Sequence, residues 1–105
     1  MKKNILVIGL GNIGFRHFQS LLTLKRKLNI YLCESDKHKH KKIKNYFKNN
    51  NINNHTLEIN ESIKNYNKVF EVAIISTTSD KRKKLIINLI SINKIKNLLI
   101  EKIAF

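Results

Sequence analysis

Three glycines near the amino terminus have a spacing that can bind phosphate. Gly9, Gly11 and Gly14 form the pattern G-x-G-x-x-G, and residues 4–8 before them are a mostly apolar run typical of a buried strand. In a strand–turn–helix unit the first glycine permits the tight turn, and the second lets a pyrophosphate approach the backbone. The third allows close packing of the helix on the strand. This context predicts a dinucleotide-binding turn.

A helix is predicted directly after the turn, because residues 13–24 place Phe15, Phe18 and Leu22 at helical spacing. Unpaired amide groups at its start, which include those of Asn12 and Ile13, would face the phosphate groups. The alternative interpretation is a glycine-rich turn that binds no ligand.

A carboxylate lies where the ribose of a dinucleotide would need one. Glu34 follows a second predicted strand, residues 30–33, and stands twenty residues after Gly14. At that position a carboxylate accepts hydrogen bonds from ribose hydroxyls and repels a 2′-phosphate, which favours NAD. Lys37 and Lys39 follow closely and can offset the repulsion, so NADP stays possible. The alternative is a solvent-exposed acid that closes a strand.

Strands and helices alternate along the rest of the chain. Strands are predicted at residues 4–8, 30–33, 55–59, 69–76 and 97–100, and helices at 13–24, 37–48, 60–66 and from Thr78 or Ser79 onward. The continuous apolar run at residues 72–75 is typical of a parallel strand covered on both faces. The order predicts an α/β fold, a Rossmann-type doubly wound parallel sheet of five strands in the order 3-2-1-4-5.

Length and charge narrow the function classes. The chain has 105 residues, which suit one domain over residues 1–105, and 21 Lys and Arg against 7 acids give a net charge of +14. Such a charge can indicate nucleic-acid binding. However, Lys far outnumbers Arg, and Asn and Ile are also abundant, as A+T-rich codons would produce. A nucleic-acid partner is therefore not expected.

Cys33 is the only cysteine, so an internal disulfide is impossible and a reducing cytoplasm fits best. No apolar run approaches the length that spans a bilayer, and no membrane association is expected. The pair His38 and His40 lies within a lysine-rich segment that opposes a metal ion, so no metal site is predicted. His17 either packs against the glycine turn or touches substrate, and both interpretations stay open.

The motifs together resemble one enzyme family. The glycine motif with His17 three residues beyond it, the strand end at Ser76 and Thr77, and the sequence Leu-Ile-Glu-Lys at residues 99–102 resemble the Gfo/Idh/MocA oxidoreductases, the glucose-fructose oxidoreductase and inositol dehydrogenase family. Departures occur at Thr78 and Ile103, where the family has proline, and at Arg82, near its usual histidine.

The resemblance implies an NAD(P)-binding domain that takes part in hydride transfer between the cofactor and a sugar, nucleotide sugar or polyol. It implies that Ser76, Thr77 and Thr78 border the nicotinamide ribose and the diphosphate, while Glu101 and Lys102 lie beneath the nicotinamide. Lys102 would contact the substrate hydroxyl and assist proton movement as hydride leaves the carbon.

The family's sixth strand and second domain have no counterpart in these residues, so the chain alone is expected to be inactive. A gene fragment, a truncated protein and one part of a split enzyme all fit. Three alternative functions stay open: a non-enzymatic dinucleotide sensor like the regulatory domains of potassium transporters, a methyltransferase, and a basic nucleic-acid adaptor. The sensor has no need of Glu101 and Lys102, and the methyltransferase usually has an acid before its glycine turn.

Overall fold

The computed structural model of the protein describes residues 2–76, 84, 87–89 and 91–101. Its strands and helices, in chain order, are β1 (Lys3–Ile8), α1 (Asn12–Thr23), β2 (Leu28–Cys33), α2 (Lys37–Asn50), β3 (Thr56–Asn60), β4 (Val69–Ile75) and β5 (Lys94–Ile100). Residues 84, 87–89 and 91–92 are helical. The predicted helix cap at Thr78 or Ser79 lies outside the described residues.

The strands form one parallel sheet in the order β3-β2-β1-β4-β5, which confirms the predicted fold. β1 is central and pairs with β2 on one side and with β4 on the other. The chain runs outward from β1 to β3 and then returns to the other side of β1. The strand order therefore reverses between β1 and β4, where ligands of such sheets bind beyond the carboxyl ends of the strands.

Both faces of the sheet are covered by apolar side chains. On one face, Phe18 and Leu22 of α1 and Ile43 of α2 pack with buried strand residues: Ile5, Val7, Leu28, Ile30, Leu32 and Ile74. On the other face, Leu89 joins a second cluster with Leu6, Ile8, Tyr31, Cys33, Tyr66, Phe70, Ala73 and Ile75. Burial on both faces explains why the central strands are apolar without alternation.

The predicted helix at residues 60–66 is wrong, because Asn60 ends β3 and residues 61–66 form an irregular connection towards β4 that begins with a bend. The side chain of Asn93 accepts a hydrogen bond from the Tyr66 N–H at 3.1 Å and donates one to the Lys64 carbonyl at 3.0 Å. The Tyr66 ring also packs edge-on against Phe70. These distant contacts satisfy the backbone without a helix, and tertiary packing overrides the weak local propensity.

Among the described residues, no helix is both long enough and apolar enough to cross a membrane.

A buried histidine joins the amino ends of β2 and β3 to the end of α1. His55 Nδ1 accepts a hydrogen bond from the Leu28 N–H at 3.0 Å, and Nε2 lies 3.3 Å from the Leu22 carbonyl oxygen. The side chain of Asn51 bonds both the N–H and the carbonyl of His55. The imidazole therefore satisfies a buried backbone donor at the edge of the core.

We expect His55→Leu to lower the free energy of unfolding by about 1–3 kcal/mol, because the buried Leu28 N–H loses its acceptor. Urea denaturation followed by circular dichroism measures this change. His38→Leu is the matched control, since His38 is exposed and only its backbone N–H contacts Asp36. An equal effect of the two substitutions would contradict a structural role for His55.

Candidate functional site

The glycine turn connects β1 to α1 at the carboxyl edge of the sheet. Gly9 has φ = 85°, a left-handed conformation that favours glycine, and its N–H donates to the Cys33 carbonyl at 2.9 Å. Gly11 has extended backbone angles and is the N-cap of α1. The chain thus passes from β1 to α1 in a turn of three residues, and the start of α1 lies at the carboxyl edge of the sheet.

The other two glycines meet very different surroundings. A Cβ at Gly14 would lie 1.9 Å from the Gly9 carbonyl oxygen and 3.4 Å from the Cβ of Ser76, so only glycine fits there. A Cβ at Gly11 would meet nothing within 4 Å. Gly14 is therefore required by the fold, whereas the requirement for glycine at Gly11 does not come from packing within the described part of the chain.

The amino terminus of α1 presents backbone donors. Gly11 makes no side-chain cap, and the first turn contains no acidic residue. The first intrahelical bond runs from the Phe15 N–H to the Gly11 carbonyl at 2.9 Å. The amides of Asn12, Ile13 and Gly14 precede it and have no intrahelical acceptor. Together with the helix dipole, these donors can bind an anion such as a diphosphate.

Glu34 is a buried residue, only 8% exposed, and not a solvent-exposed acid at a strand end. Its Oε1 accepts a hydrogen bond from the Leu10 N–H at 2.8 Å, and its Oε2 accepts one from the Asp36 N–H at 2.9 Å. Lys39 Nζ lies 3.8 Å from Oε1. The carboxylate therefore links the glycine turn to the start of α2. Each carboxylate oxygen has a second lone pair that can accept a hydrogen bond from a hydroxyl group.

Ser76 lies directly after β4 and beside the turn. Its N–H donates to the Ile8 carbonyl at 2.9 Å, which extends the β1–β4 ladder to the start of the turn. Its Oγ is buried and is the only buried side-chain nitrogen or oxygen without a hydrogen-bond partner among the described residues. A buried hydroxyl without a partner is costly, and a ligand hydroxyl or phosphate oxygen at this place would satisfy it.

His17 and Glu101 meet at the same edge. His17 Nε2 lies 2.9 Å from Glu101 Oε1, so the side chain from α1 bonds the residue that follows β5. The sequence had left open whether His17 packs against the turn or touches substrate, and neither interpretation included this bond. Because the two residues are 84 positions apart, no local pattern could indicate the pair.

The sheet edge therefore brings together the glycine turn, Glu34, Ser76 and Glu101. The other residues assigned to the site from the sequence, Thr77, Thr78 and Lys102, lie outside the described residues, as does Arg82.

The thiol of Cys33 belongs to the apolar cluster on the face of the sheet away from α1. Cys33 is buried, and burial together with the nearby Glu34 carboxylate raises the pKa of its thiol to about 11, so it is protonated at neutral pH.

A cleft of about 410 Å³ lies at the amino ends of β4 and β5, lined by residues that include Asn67, Val69 and Lys94. This is the edge opposite the glycine turn. The described residues contain no group of three or more possible metal ligands.

The sheet order, the glycine turn and the α1 amides without intrahelical acceptors define a Rossmann-type nucleotide-binding domain. The family model of the Gfo/Idh/MocA oxidoreductases, described as an oxidoreductase family with an NAD-binding Rossmann fold, matches residues 3–102. The chain belongs to this family, which confirms the resemblance seen in its motifs. No curated protein and no solved structure matches the chain significantly.

The contrast between the two glycines predicts that adding one methyl group has a large effect on stability at Gly14 and a small effect at Gly11. Gly14→Ala should lower the free energy of unfolding by about 3 kcal/mol or more, because α1 must move away from the Gly9 carbonyl. Gly11→Ala should change it by less than about 1 kcal/mol. Thermal unfolding by circular dichroism compares the two variants, and similar melting temperatures would mean that α1 does not pack this closely on β1.

Proposed function

We propose that this domain binds NAD(H) with the diphosphate at the glycine turn and contributes to hydride transfer between the cofactor and a sugar, nucleotide sugar or polyol. The observation that carries the proposal is the open position at Gly11, beside which the α1 amides lack intrahelical acceptors. A glycine in ordinary backbone conformation, at which an added Cβ would meet none of the described residues, is explained if a ligand approaches the backbone there.

The two halves of the cofactor would be held by different residues. Glu34, directly after β2, would accept hydrogen bonds from the hydroxyls of the adenosine ribose through its remaining lone pairs. Ser76 and Glu101, directly after β4 and β5, would hold the nicotinamide half together with Thr77 and Thr78. The buried Ser76 hydroxyl supports this direction, because it has no hydrogen-bond partner among the described residues and follows β4.

Lys102 is proposed as the catalytic residue because it directly follows Glu101 in the sequence motif that the chain shares with its family. A bound nicotinamide would supply the acceptor for the hydride that leaves the alcohol carbon. The Lys102 amine binds the alcohol hydroxyl and accepts its proton, so that the carbon–oxygen bond becomes a carbonyl. Hydride and proton together account for the two-electron oxidation of the alcohol.

The cytoplasm is the proposed compartment, since the single cysteine, Cys33, cannot form an internal disulfide and is buried as a free thiol.

Gly11→Val tests the cofactor assignment without a change in the fold. The wild-type domain should bind NADH with a dissociation constant in the micromolar to millimolar range, and the variant should show no binding, because its side chain occupies the position of the diphosphate. Isothermal titration calorimetry measures the affinity, and circular dichroism verifies that the variant is folded. Equal affinities for wild type and a folded variant would overturn the assignment.

Glu34 should set a preference for NAD over NADP, because its carboxylate binds the ribose and repels a 2′-phosphate. Glu34→Gln should reduce the ratio of NAD affinity to NADP affinity by about tenfold. The glutamine retains an acceptor for the Leu10 N–H, which Glu34→Ala would remove. Lys39→Gln is the opposite test: it removes the cation 3.8 Å from the carboxylate and should widen the ratio. Tighter binding of NADP by the wild type would contradict this role.

A further inference from the structure

The bond between His17 and Glu101 joins two parts of the proposed site that are far apart in the sequence. His17 lies on α1, three residues after Gly14, and Glu101 is the first residue after β5. Their side chains are 26% and 32% exposed, so the bond is partly shielded from solvent. A shielded, short contact of this kind restricts both side chains more than an exposed ion pair would.

The sheet register places the Glu101 side chain on the α1 face. Ile75 of β4 pairs with Ile100 of β5, and the Glu101 N–H donates to the Ile75 carbonyl at 2.9 Å. Glu101 therefore lies beside Ser76, one position beyond the paired strands. Since side chains alternate between faces and Ile75 belongs to the cluster on the face away from α1, Ser76 and Glu101 lie on the face of α1 and the glycine turn.

We propose that His17 is a positioning residue that holds the Glu101 carboxylate in place for the nicotinamide half of the cofactor. The inference rests on the proposed function. A glutamate side chain at the end of an edge strand has three rotatable bonds, and the imidazole N–H fixes its carboxylate relative to the helix whose first amides bind the diphosphate. This hydrogen bond thereby helps to keep the parts of the site that would hold the diphosphate and the nicotinamide at a constant separation.

Two ligands separate this role from a general effect on the fold. NADH reaches both halves of the site, whereas ADP-ribose has the same adenosine and diphosphate but no nicotinamide. Loss of a positioning residue should weaken NADH binding alone. A change in the glycine turn or in α1 should weaken both ligands by the same factor, so the ratio of the two affinities reports on the nicotinamide half.

The experiment measures both affinities by calorimetry for wild type, His17→Leu and His17→Gln. In His17→Leu, NADH binding should weaken by about tenfold, typical for loss of a hydrogen bond to a charged group, while ADP-ribose binding changes by less than about twofold. His17→Gln should restore NADH affinity to within about threefold of wild type, because its amide N–H lies close to the position of Nε2. The emission of bound NADH should change in His17→Leu and return in His17→Gln.

Gln19→Leu, a substitution of similar size on the same helix, is the control and should leave both affinities unchanged. If His17→Leu does not fold, His17→Asn replaces it, because the shorter amide cannot reach the carboxylate and the same selective loss is expected. Equal weakening of both ligands, or no weakening, would overturn the positioning role while leaving the proposed function intact. If the wild type bound neither ligand, the proposed function and this inference would both fail.

Discussion

The close approach of α1 to β1 at Gly14 is the constraint on which the site depends. The Cβ that any other residue would add lies 1.9 Å from the Gly9 carbonyl oxygen, so the helix can start this near the strand only because Gly14 has no side chain. That contact fixes where the first amides of α1 point. It also brings α1 next to Ser76, and it places His17, one helical turn further on, within reach of Glu101. A small shift of the helix would therefore disturb several contacts at once.

Two carboxylates flank the turn, and each is held by a different element. Glu34, after β2, accepts hydrogen bonds from the backbone of the turn and of α2, whereas Glu101, after β5, bonds His17 on α1. Their anchoring means that neither side chain needs to be ordered when a ligand binds, which reduces the entropic cost of binding. The two carboxylates thus lie on either side of the point, between β1 and β4, where the strand order reverses.

The sequence was sufficient for the strand order and for the turn, because alternating strands and helices allow few topologies and the glycines have a specific spacing. It failed at residues 60–66, where Asn93 stabilises an irregular, non-helical backbone through contacts that no local pattern contains. It also placed the start of β5 at residue 97, whereas the strand begins at Lys94. An edge strand with exposed polar residues lacks the apolar run by which buried strands are recognised. Sequence periodicity could not identify Glu101 as the partner of His17 either, because the two residues are 84 positions apart.

The charge of the chain bears on the site in a way that composition alone does not indicate. Several acids are partnered by cations, since Lys3 and Lys96 both approach Glu71, and Lys37 approaches Glu61. These pairs are exposed and contribute little to stability. Within the site, however, Lys39 lies beside Glu34, so the cationic start of α2 partly offsets the carboxylate. Positive charge of this kind favours binding of an anionic group, such as a diphosphate, at the turn.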